Sequence, residues 1–134
     1  FGEPSLIAGF EKVRNHYGVN RMAQVAGLAA LEDQSYLSEV AARIASGRAR
    51  IAEIALNNQL VPLPSAANFV TIDCGFDGVF AKKVLDGLLA RDVFVRMPGV
   101  APLDRCIRIS AGTQSDLDVL AAELPQALAA AAQG

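Results

Sequence analysis

Two arginines on neighbouring apolar segments are the residues of this sequence best suited to chemistry. Arg108 stands between two isoleucines in the segment "CIRIS", and Arg96 closes the segment "VFVR". Side chains alternate along a strand, so Arg108 projects from the face opposite the isoleucines. If the loop centred on Pro102 folds the two segments into an antiparallel hairpin, Arg96 pairs with Arg108. Two adjacent guanidinium groups repel unless an anion lies between them.

A carboxylate or a phosphate suits that position, because arginine offers a planar fork that binds two oxygens at once. The alternative is that Arg96 and Arg108 are exposed strand residues with aqueous counterions. The sequence pattern by itself leaves both interpretations open.

Other polar residues have weaker claims to a functional role. His16 and Tyr17 lie between two helices, and no Ser-His-Asp or Cys-His order accompanies them. The pair Gly75 and Gly78 lacks the lysine of a phosphate-binding loop. Asp73 ends a strand, where a turn-forming role is expected.

Composition limits the classes of function. The chain has 134 residues, of which 52% are hydrophobic and 19% are charged, so it has enough apolar residues for a packed core. The net charge of -2 and the lack of a basic run argue against a nucleic-acid partner. No apolar segment is long enough to span a bilayer. Cys74 and Cys106 lack metal-like spacing, and we expect two buried free thiols in a reducing compartment, which favours the cytoplasm.

Hydrophobic periodicity predicts the elements that hold these residues. Helices are expected over 4–14, 21–32, 35–58, 78–91 and 114–131, and strands over 67–74, 93–97 and 106–110. This order indicates an α/β fold, in which an α+β-like small domain from about residue 36 follows helices that belong to another body. The helix over 21–32 is apolar almost all round, which is typical of a helix buried on more than one side.

Capping signals and apolar stripes orient the helices. Asn20 is expected to cap the second helix, and Thr113 begins a short capping box before the last one. The third helix has an apolar stripe that Gly47 interrupts as a weak point if it is exposed. The predicted core-facing residues are Leu37, Val40, Ile44, Ile51 and Ile54 in the third helix and Val79, Val84, Leu85, Leu88 and Leu89 in the fourth.

Four segments, in order, resemble a known family. They are "EKVRNHYGVNRMAQVAGLAALED", "PSAANFV", "VFVR" and "CIRISAGT". Together they are similar to the carboxy-terminal portion of fold-type I pyridoxal-phosphate aminotransferases, in the histidinol-phosphate aminotransferase-like branch. The resemblance implies that residues 1–35 are terminal helices of the large pyridoxal-phosphate-binding domain. It implies that residues 36–134 are the small C-terminal domain.

The resemblance also implies roles for single residues. The arginine that matches Arg108 binds the acid group of the substrate, and the arginine that matches Arg96 helps where that group is a phosphate. Asn68 matches an asparagine next to the active-site cleft. The implied reaction, in amino-acid biosynthesis, transfers an amino group between an amino acid and a 2-oxo acid or a histidinol-phosphate-like substrate. The implied partners are pyridoxal phosphate, the missing amino-terminal portion and a second subunit.

Two departures from the family pattern bear on activity. The family's Schiff-base lysine would lie upstream of Phe1, and Lys12, Lys82 and Lys83 lie in no matching motif, so these residues alone are expected to be inactive. His16 and Gly18 replace the proline and asparagine that the branch usually carries.

Two further interpretations remain open. One is a stand-alone, non-catalytic α/β module that uses Arg96 and Arg108 to bind a small carboxylate or phosphate. The other is a decarboxylase or aldolase built on the same scaffold.

Overall fold

The computed structural model describes residues 2–15 and 17–133, so the expectation for His16 lies outside the described residues. The chain divides into two units, Phe1–Glu39 and Val40–Gly134. The elements are the helices α1 (Pro4–Glu11), α2 (Arg21–Glu32), α3 (Gln34–Asn57), α4 (Gly78–Leu89) and α5 (Gln114–Gln133) and the strands β1 (Val61–Pro62), β2 (Phe69–Asp73) and β3 (Cys106–Ser110).

The first unit contains two capped helices with exposed apolar side chains. The Glu3 carboxylate accepts a hydrogen bond from the Ser5 amide at 2.9 Å and caps α1. Asn20 Oδ1 accepts one from the Ala23 amide at 2.8 Å, which confirms the predicted cap of α2. No described residue of this unit is buried. The burial expected for α2 within a larger body therefore stays a prediction.

The core of the second unit lies on one face of a three-stranded antiparallel sheet with the order β1-β2-β3. In the register of β2 and β3, Val70 pairs with Ile109 and Ile72 with Ile107. Ile72 and Ile107 are fully buried. Helices α4 and α5 contribute apolar side chains to the same core, including Leu88 and Leu124. The alternation of isoleucine and polar residues in β3 therefore separates a core face from an outer face.

The start of α5 has the capping box that the sequence predicts. The Thr113 amide donates to Asp116 Oδ2 at 2.8 Å, and the Asp116 amide donates to Thr113 Oγ1 at 3.3 Å. The hydrogen bonds from Thr113 lower the pKa of the Asp116 carboxyl. This exchange fixes where the chain leaves β3 and enters α5.

The strand expected over 93–97 is wrong, because only Arg96 forms a bridge to β3. At one end of the segment, the Val93 amide donates to the Leu88 carbonyl at 3.0 Å and closes the last turn of α4. At the other end, Pro98 has no amide hydrogen to donate. The alternation within the segment is nevertheless as expected, since Val95 is buried and Phe94 is exposed.

The predicted core faces of two helices need correction. In α3, Ile51 and Ile54 are buried, but Leu37 lies in the first unit and is 53% exposed. In α4, the buried residues are Ala81, Val84 and Leu88, whereas Val79 and Leu89 are exposed. Ala81 therefore takes a core position that the pattern of large apolar residues did not predict.

A short strand that the sequence analysis did not predict precedes β2. Val61 and Pro62 form β1, where the sequence indicated only an extended entry after α3. They pair with Asp73 and Ile72 of β2. Pro62 is tolerated there because β1 is an edge strand, where a missing amide hydrogen leaves no inner ladder bond unmade.

The two thiols are buried and free, as expected. Burial raises the pKa of Cys74 to about 11 and also raises that of Cys106, so both are protonated near neutral pH. Of the helices described, none combines the length and hydrophobicity needed to cross a lipid bilayer.

Candidate functional site

Arg96 and Arg108 lie opposite each other, as the sequence predicts. The Arg96 amide donates to the Arg108 carbonyl at 3.0 Å, and the Arg108 amide donates to the Arg96 carbonyl at 2.6 Å. The two residues thus form an antiparallel bridge along the free edge of β3. Residues paired across such a bridge project their side chains to the same side. The bridge therefore brings two guanidinium groups to one face of the sheet.

That face is opposite the hydrophobic core. Arg108 pairs with Thr71 of β2, and Phe69 pairs with Ser110. The flanking isoleucines point the other way, into the core. We call the outer surface formed by Phe69, Thr71, Arg96, Arg108 and Ser110 the arginine face.

Aromatic rings, and no carboxylates, accompany the two guanidinium groups. Arg108 Cζ lies 4.8 Å from the centroid of the Phe69 ring, and Arg96 Cζ lies 5.8 Å from that of Phe94. Within residues 2–15 and 17–133, neither guanidinium forms a side-chain hydrogen bond or an ion pair. Two adjacent positive charges are therefore left for a ligand to compensate, which suits a carboxylate or a phosphate.

Arg105 has a different environment, although it lies only three residues before Arg108. Its Nε is 2.8 Å from Asp73 Oδ1 and its Nη2 is 2.7 Å from Asp73 Oδ2. The guanidinium lowers the pKa of the Asp73 carboxyl. Asp73 Oδ1 also accepts a hydrogen bond from the Gly75 amide at 2.8 Å, which confirms the expected turn-forming role. Since this carboxylate already occupies the Arg105 fork, Arg105 is not a candidate for binding an anion.

The sequence analysis missed the ion pair between Asp73 and Arg105. The two residues are 32 positions apart, and no local motif joins them. The only signal in the sequence was an acidic residue at one predicted strand end and a basic residue at the start of another. That signal becomes specific only once the register places Asp73 opposite Cys106.

Asn68 lies just before β2, at the end of the sheet where β3 ends after Arg108. Its carbonyl accepts a hydrogen bond from the Ala111 amide at 2.8 Å. Arg48 of α3 donates to the neighbouring Ala67 carbonyl at 3.0 Å and holds this turn. The Asn68 side chain is exposed and makes no hydrogen bond within the described part of the chain. The structure thus does not join the Asn68 side chain to the two arginines.

Two cavities of the second unit do not reach the two guanidinium groups. One of about 590 Å³ is lined by residues of α3 and of the start of α5, including Arg50 and Gln114. Another of about 370 Å³ lies between residues 92–95, the end of β3 and α5, and Ser110 is the residue of the arginine face that lines it. Neither of these two cavities is lined by Arg96 or Arg108.

The lysines of this unit do not approach the arginine face. Lys82 Nζ lies 2.5 Å from Asp86 Oδ1 on the exposed side of α4, and Lys83 is exposed on the same helix. Since α4 packs against the core face of the sheet, both are on the side away from Arg108. In the described ranges, no cluster of His, Cys, Asp and Glu could hold a metal ion.

The chain is similar to known aminotransferases over most of its length. The family model described as "Aminotransferase class I and II" matches residues 1–124. Histidinol-phosphate aminotransferase 2 of Burkholderia lata is 36% identical over 96% of this chain, which covers 37% of that protein. Histidinol-phosphate aminotransferase 1 of Mesorhizobium japonicum is 32% identical over 95% of the chain, which covers 34% of it.

Solved structures have the same fold. The crystal structure of histidinol-phosphate aminotransferase from Sinorhizobium meliloti in complex with pyridoxal-5'-phosphate is 49% identical. It superposes with a TM-score of 0.88 over 94% of this chain and 35% of that one. A decarboxylase from Sulfurospirillum multivorans, at 23% identity and a TM-score of 0.68, shares the fold alone. These likenesses confirm the expected fold class and the resemblance, and the chain spans about a third of the curated relatives' length.

Proposed function

This chain belongs to the class I and II aminotransferase family, and on that premise we propose that the complete protein is a pyridoxal-phosphate-dependent aminotransferase. It transfers an amino group between an amino acid and a 2-oxo acid or a histidinol-phosphate-like substrate. The relatives that carry the histidinol-phosphate aminotransferase name support this substrate class. Because the chain spans about a third of the length of those proteins, its residues account for only a share of this activity.

That share is the binding of the substrate's acid group by Arg108. The observation that carries this proposal is the pair of adjacent guanidinium groups without an acidic partner on the arginine face. Arg108 donates two parallel hydrogen bonds to a carboxylate or phosphate. Arg96 adds a second positive charge where the acid is a phosphate. Asn68, at the end of the same sheet, is proposed as a further polar contact with the substrate.

Binding at the acid end orients the rest of the substrate. An amine held by a distant bidentate contact has fewer orientations available, which lowers the entropic part of the barrier. Pyridoxal phosphate, when bound, supplies the electron sink for the carbanion chemistry.

We propose that no lysine of this chain attaches the cofactor. Lys82 is paired with Asp86 on α4, and Lys83 lies on the same helix away from Arg108. We infer that the catalytic lysine and the groups that hold the cofactor come from a part of the protein outside these residues. The isolated chain is then inactive. A homodimeric, cytoplasmic enzyme is the assembly we propose.

One observation favours a second candidate, the non-catalytic module that binds a small carboxylate or phosphate. The buried core residues all lie in the second unit, from Ile51 to Ala131. A domain with its own core can bind an anion at Arg108 without catalysis. In this case the complete protein would bind the acid but show no amino transfer with any donor.

Substitution of Arg108 in the complete protein tests the proposed anchor. Arg108→Lys keeps the charge and loses the fork, while Arg108→Ala loses both. A hydrogen bond to a charged group contributes about 1.5–3 kcal/mol. We therefore expect kcat/KM for acidic amine substrates to fall about ten- to two-hundredfold for each bond lost. Arg96→Ala is expected to affect phosphate-bearing substrates more than simple amino acids.

Arg50→Ala is the matched control, because Arg50 pairs with Glu53 on α3 and lies off the arginine face. It should leave kcat/KM unchanged. If Arg108→Ala leaves kcat/KM unchanged for every acidic amine tested, Arg108 does not bind the substrate and the assignment is wrong.

A further inference from the structure

Phe69 contacts Arg108 in a way that leaves the guanidinium donors unused. The two residues are diagonal neighbours on adjacent strands, because Phe69 pairs with Ser110 while Arg108 pairs with Thr71. Aromatic side chains reach across such diagonals. Arg108 Cζ lies 4.8 Å from the ring centroid, which is within the range of a cation–π contact. The ring attracts the cation through its π face and has no oxygen atom to accept hydrogen bonds from the guanidinium N–H groups.

Arg105, just before β3, and Arg108, within it, show why this matters. Arg105 is held by Asp73, whose carboxylate accepts hydrogen bonds from both Nε and Nη2. That contact fixes the guanidinium and also fills its fork. Arg108 is held by a ring, so its fork stays available for another acid. In the described part of the chain, Arg108 is thus the one of the two that is held by a neighbouring side chain and still has its guanidinium N–H groups unoccupied.

Repulsion from Arg96 makes the support necessary. Arg96 lies directly across the bridge from Arg108, so the two like charges push the guanidinium groups apart. Arginine also has many side-chain rotamers to lose when it binds. The attraction of the Phe69 ring opposes both effects, because it favours the rotamer that lies over the ring.

The backbone fixes the ring in place. Phe69 is half-buried at the start of β2, and Ser65 Oγ donates to its carbonyl at 2.6 Å. Arg48 and Ala111 hold the residues just before it, through Ala67 and Asn68. The backbone that carries the ring is thus held by α3 through Arg48 and by Ala111, the residue after β3.

We propose that Phe69 is a positioning residue for acid binding, which holds the Arg108 guanidinium by a cation–π contact and leaves its N–H groups for the substrate's carboxylate or phosphate. This inference rests on the proposed role of Arg108. It adds a second residue to the anion site and explains how the site is preorganised. It also predicts a loss of substrate affinity, with little change in the chemical step, when the ring is removed.

The experiment compares Phe69→Leu, Phe69→Met and Phe69→Tyr in the complete protein. Leucine and methionine fill space without a ring, and tyrosine keeps the ring. The readouts are kcat and KM for an acidic amine and the competitive inhibition constants of glutarate and inorganic phosphate. We expect the ringless variants to raise KM and both inhibition constants about three- to thirtyfold, which is the range of a cation–π contact. The kcat should change less than about twofold, and Phe69→Tyr should restore all values to within about twofold.

Phe76→Leu is the matched control. The centroid of the Phe76 ring lies 4.7 Å from that of Phe80, and in the described part of the chain the ring contacts no arginine. It should leave the inhibition constants unchanged. Circular dichroism shows which variants fold, and one folded ringless variant is enough for the test. In an Arg108→Ala background the loss of the ring should have little further effect, because the cation that the ring holds is already gone.

The failure of this inference can be told apart from the failure of the proposed function. Suppose that Arg108→Ala weakens the binding of glutarate and phosphate but that folded Phe69→Leu or Phe69→Met does not. The positioning role of Phe69 is then wrong, and the role of Arg108 as the substrate anchor stands. The role is also wrong if Phe69→Tyr loses as much affinity as the ringless variants, or if kcat falls while KM and the inhibition constants stay the same. If Arg108→Ala changes nothing, the anchor itself is wrong and this inference falls with it.

Discussion

The contact between Gly47 of α3 and Ala111 sets how closely α3 approaches the end of β3. A Cβ on Gly47 would lie 3.2 Å from Ala111 Cβ and 3.7 Å from Ala111 Cα. Carbon atoms pack best at about 3.5–4.0 Å, so the first distance is an overlap and the second is an ordinary contact. Ala111 also donates to the Asn68 carbonyl at 2.8 Å. A shift at Ala111 would therefore reach the strand end that carries Asn68 and Phe69.

Two opposing terms decide the effect of Gly47→Ala. Alanine is favoured over glycine inside a helix by about 0.8–1.0 kcal/mol. Overpacking of a buried contact costs about 1–3 kcal/mol. We expect a net loss of unfolding free energy of about 0–2 kcal/mol. The idea that Gly47 is a weak point of the helix does not apply here, because Gly47 is buried.

A double-mutant cycle isolates the overlap from the helix term. Ala111→Gly removes the methyl group that a Gly47→Ala side chain would meet and leaves two ordinary contacts, at 3.7 Å to Cα of residue 111 and at 3.9 Å to the Gly112 carbonyl oxygen. The double variant should therefore be more stable than the two single effects predict, with a coupling energy of about 1–2 kcal/mol. Urea denaturation followed by far-UV circular dichroism, on all four proteins, gives the required free energies.

The single variant Ala111→Gly is the matched control, since it alters the same contact without adding an atom. A coupling energy within about 0.3 kcal/mol of zero would mean that the overlap is not felt. If Gly47→Ala raised the unfolding free energy by about 1 kcal/mol, the full difference in helix propensity, the close approach of α3 to Ala111 would be contradicted in the same way.

Two further predictions concern the sheet that carries the arginine face. Ile107 is fully buried, so Ile107→Ala should lower the unfolding free energy by about 2–5 kcal/mol. Val119 is half-exposed, so Val119→Ala should change it by no more than about 0.5 kcal/mol. Equal effects of the two substitutions in urea denaturation would contradict the assigned core. The Arg105 guanidinium lowers the pKa of the Asp73 carboxyl in the folded protein. The ion pair therefore stabilises the fold at pH values above the unfolded aspartate pKa of about 3.9. This stabilisation is lost as the pH falls through the lower pKa of the folded protein. Asp73→Asn should therefore be less stable than the native chain near neutral pH, with a difference in urea midpoint that shrinks in acid, and a pH-independent difference would show that the ion pair is not its cause.

Much of the candidate site follows from short-range rules. The period of two in "CIRIS" places the isoleucines in the core and Arg108 outside, whatever the rest of the fold does. The loop around Pro102 is centred between Arg96 and Arg108, and their observed bridge follows from that symmetry. The caps at Asn20 and Thr113 are equally local, because each side chain accepts a hydrogen bond from the amide three positions ahead. Such features depend on a few neighbouring residues and are therefore visible in the sequence.

The supports of the site depend on contacts between distant residues. The segment 93–97 has the composition of a strand, but its ends are held by the Leu88 carbonyl and limited by Pro98, so it pairs at one residue only. The ion pair of Asp73 with Arg105 needs the register of β2 and β3. The Gly47 contact needs the approach of α3 to Ala111.

The family, the strand that carries Arg108 and the direction in which Arg108 projects can be read from the sequence alone, because motifs and side-chain alternation are properties of adjacent residues. The partners of the two arginines on this segment cannot be read in the same way, because both partners lie on β2, more than 30 residues earlier in the chain. The register places Asp73 opposite Cys106, next to Arg105, and it places Phe69 diagonally from Arg108. Folding therefore brings a carboxylate to the guanidinium of Arg105 and an aromatic ring to that of Arg108.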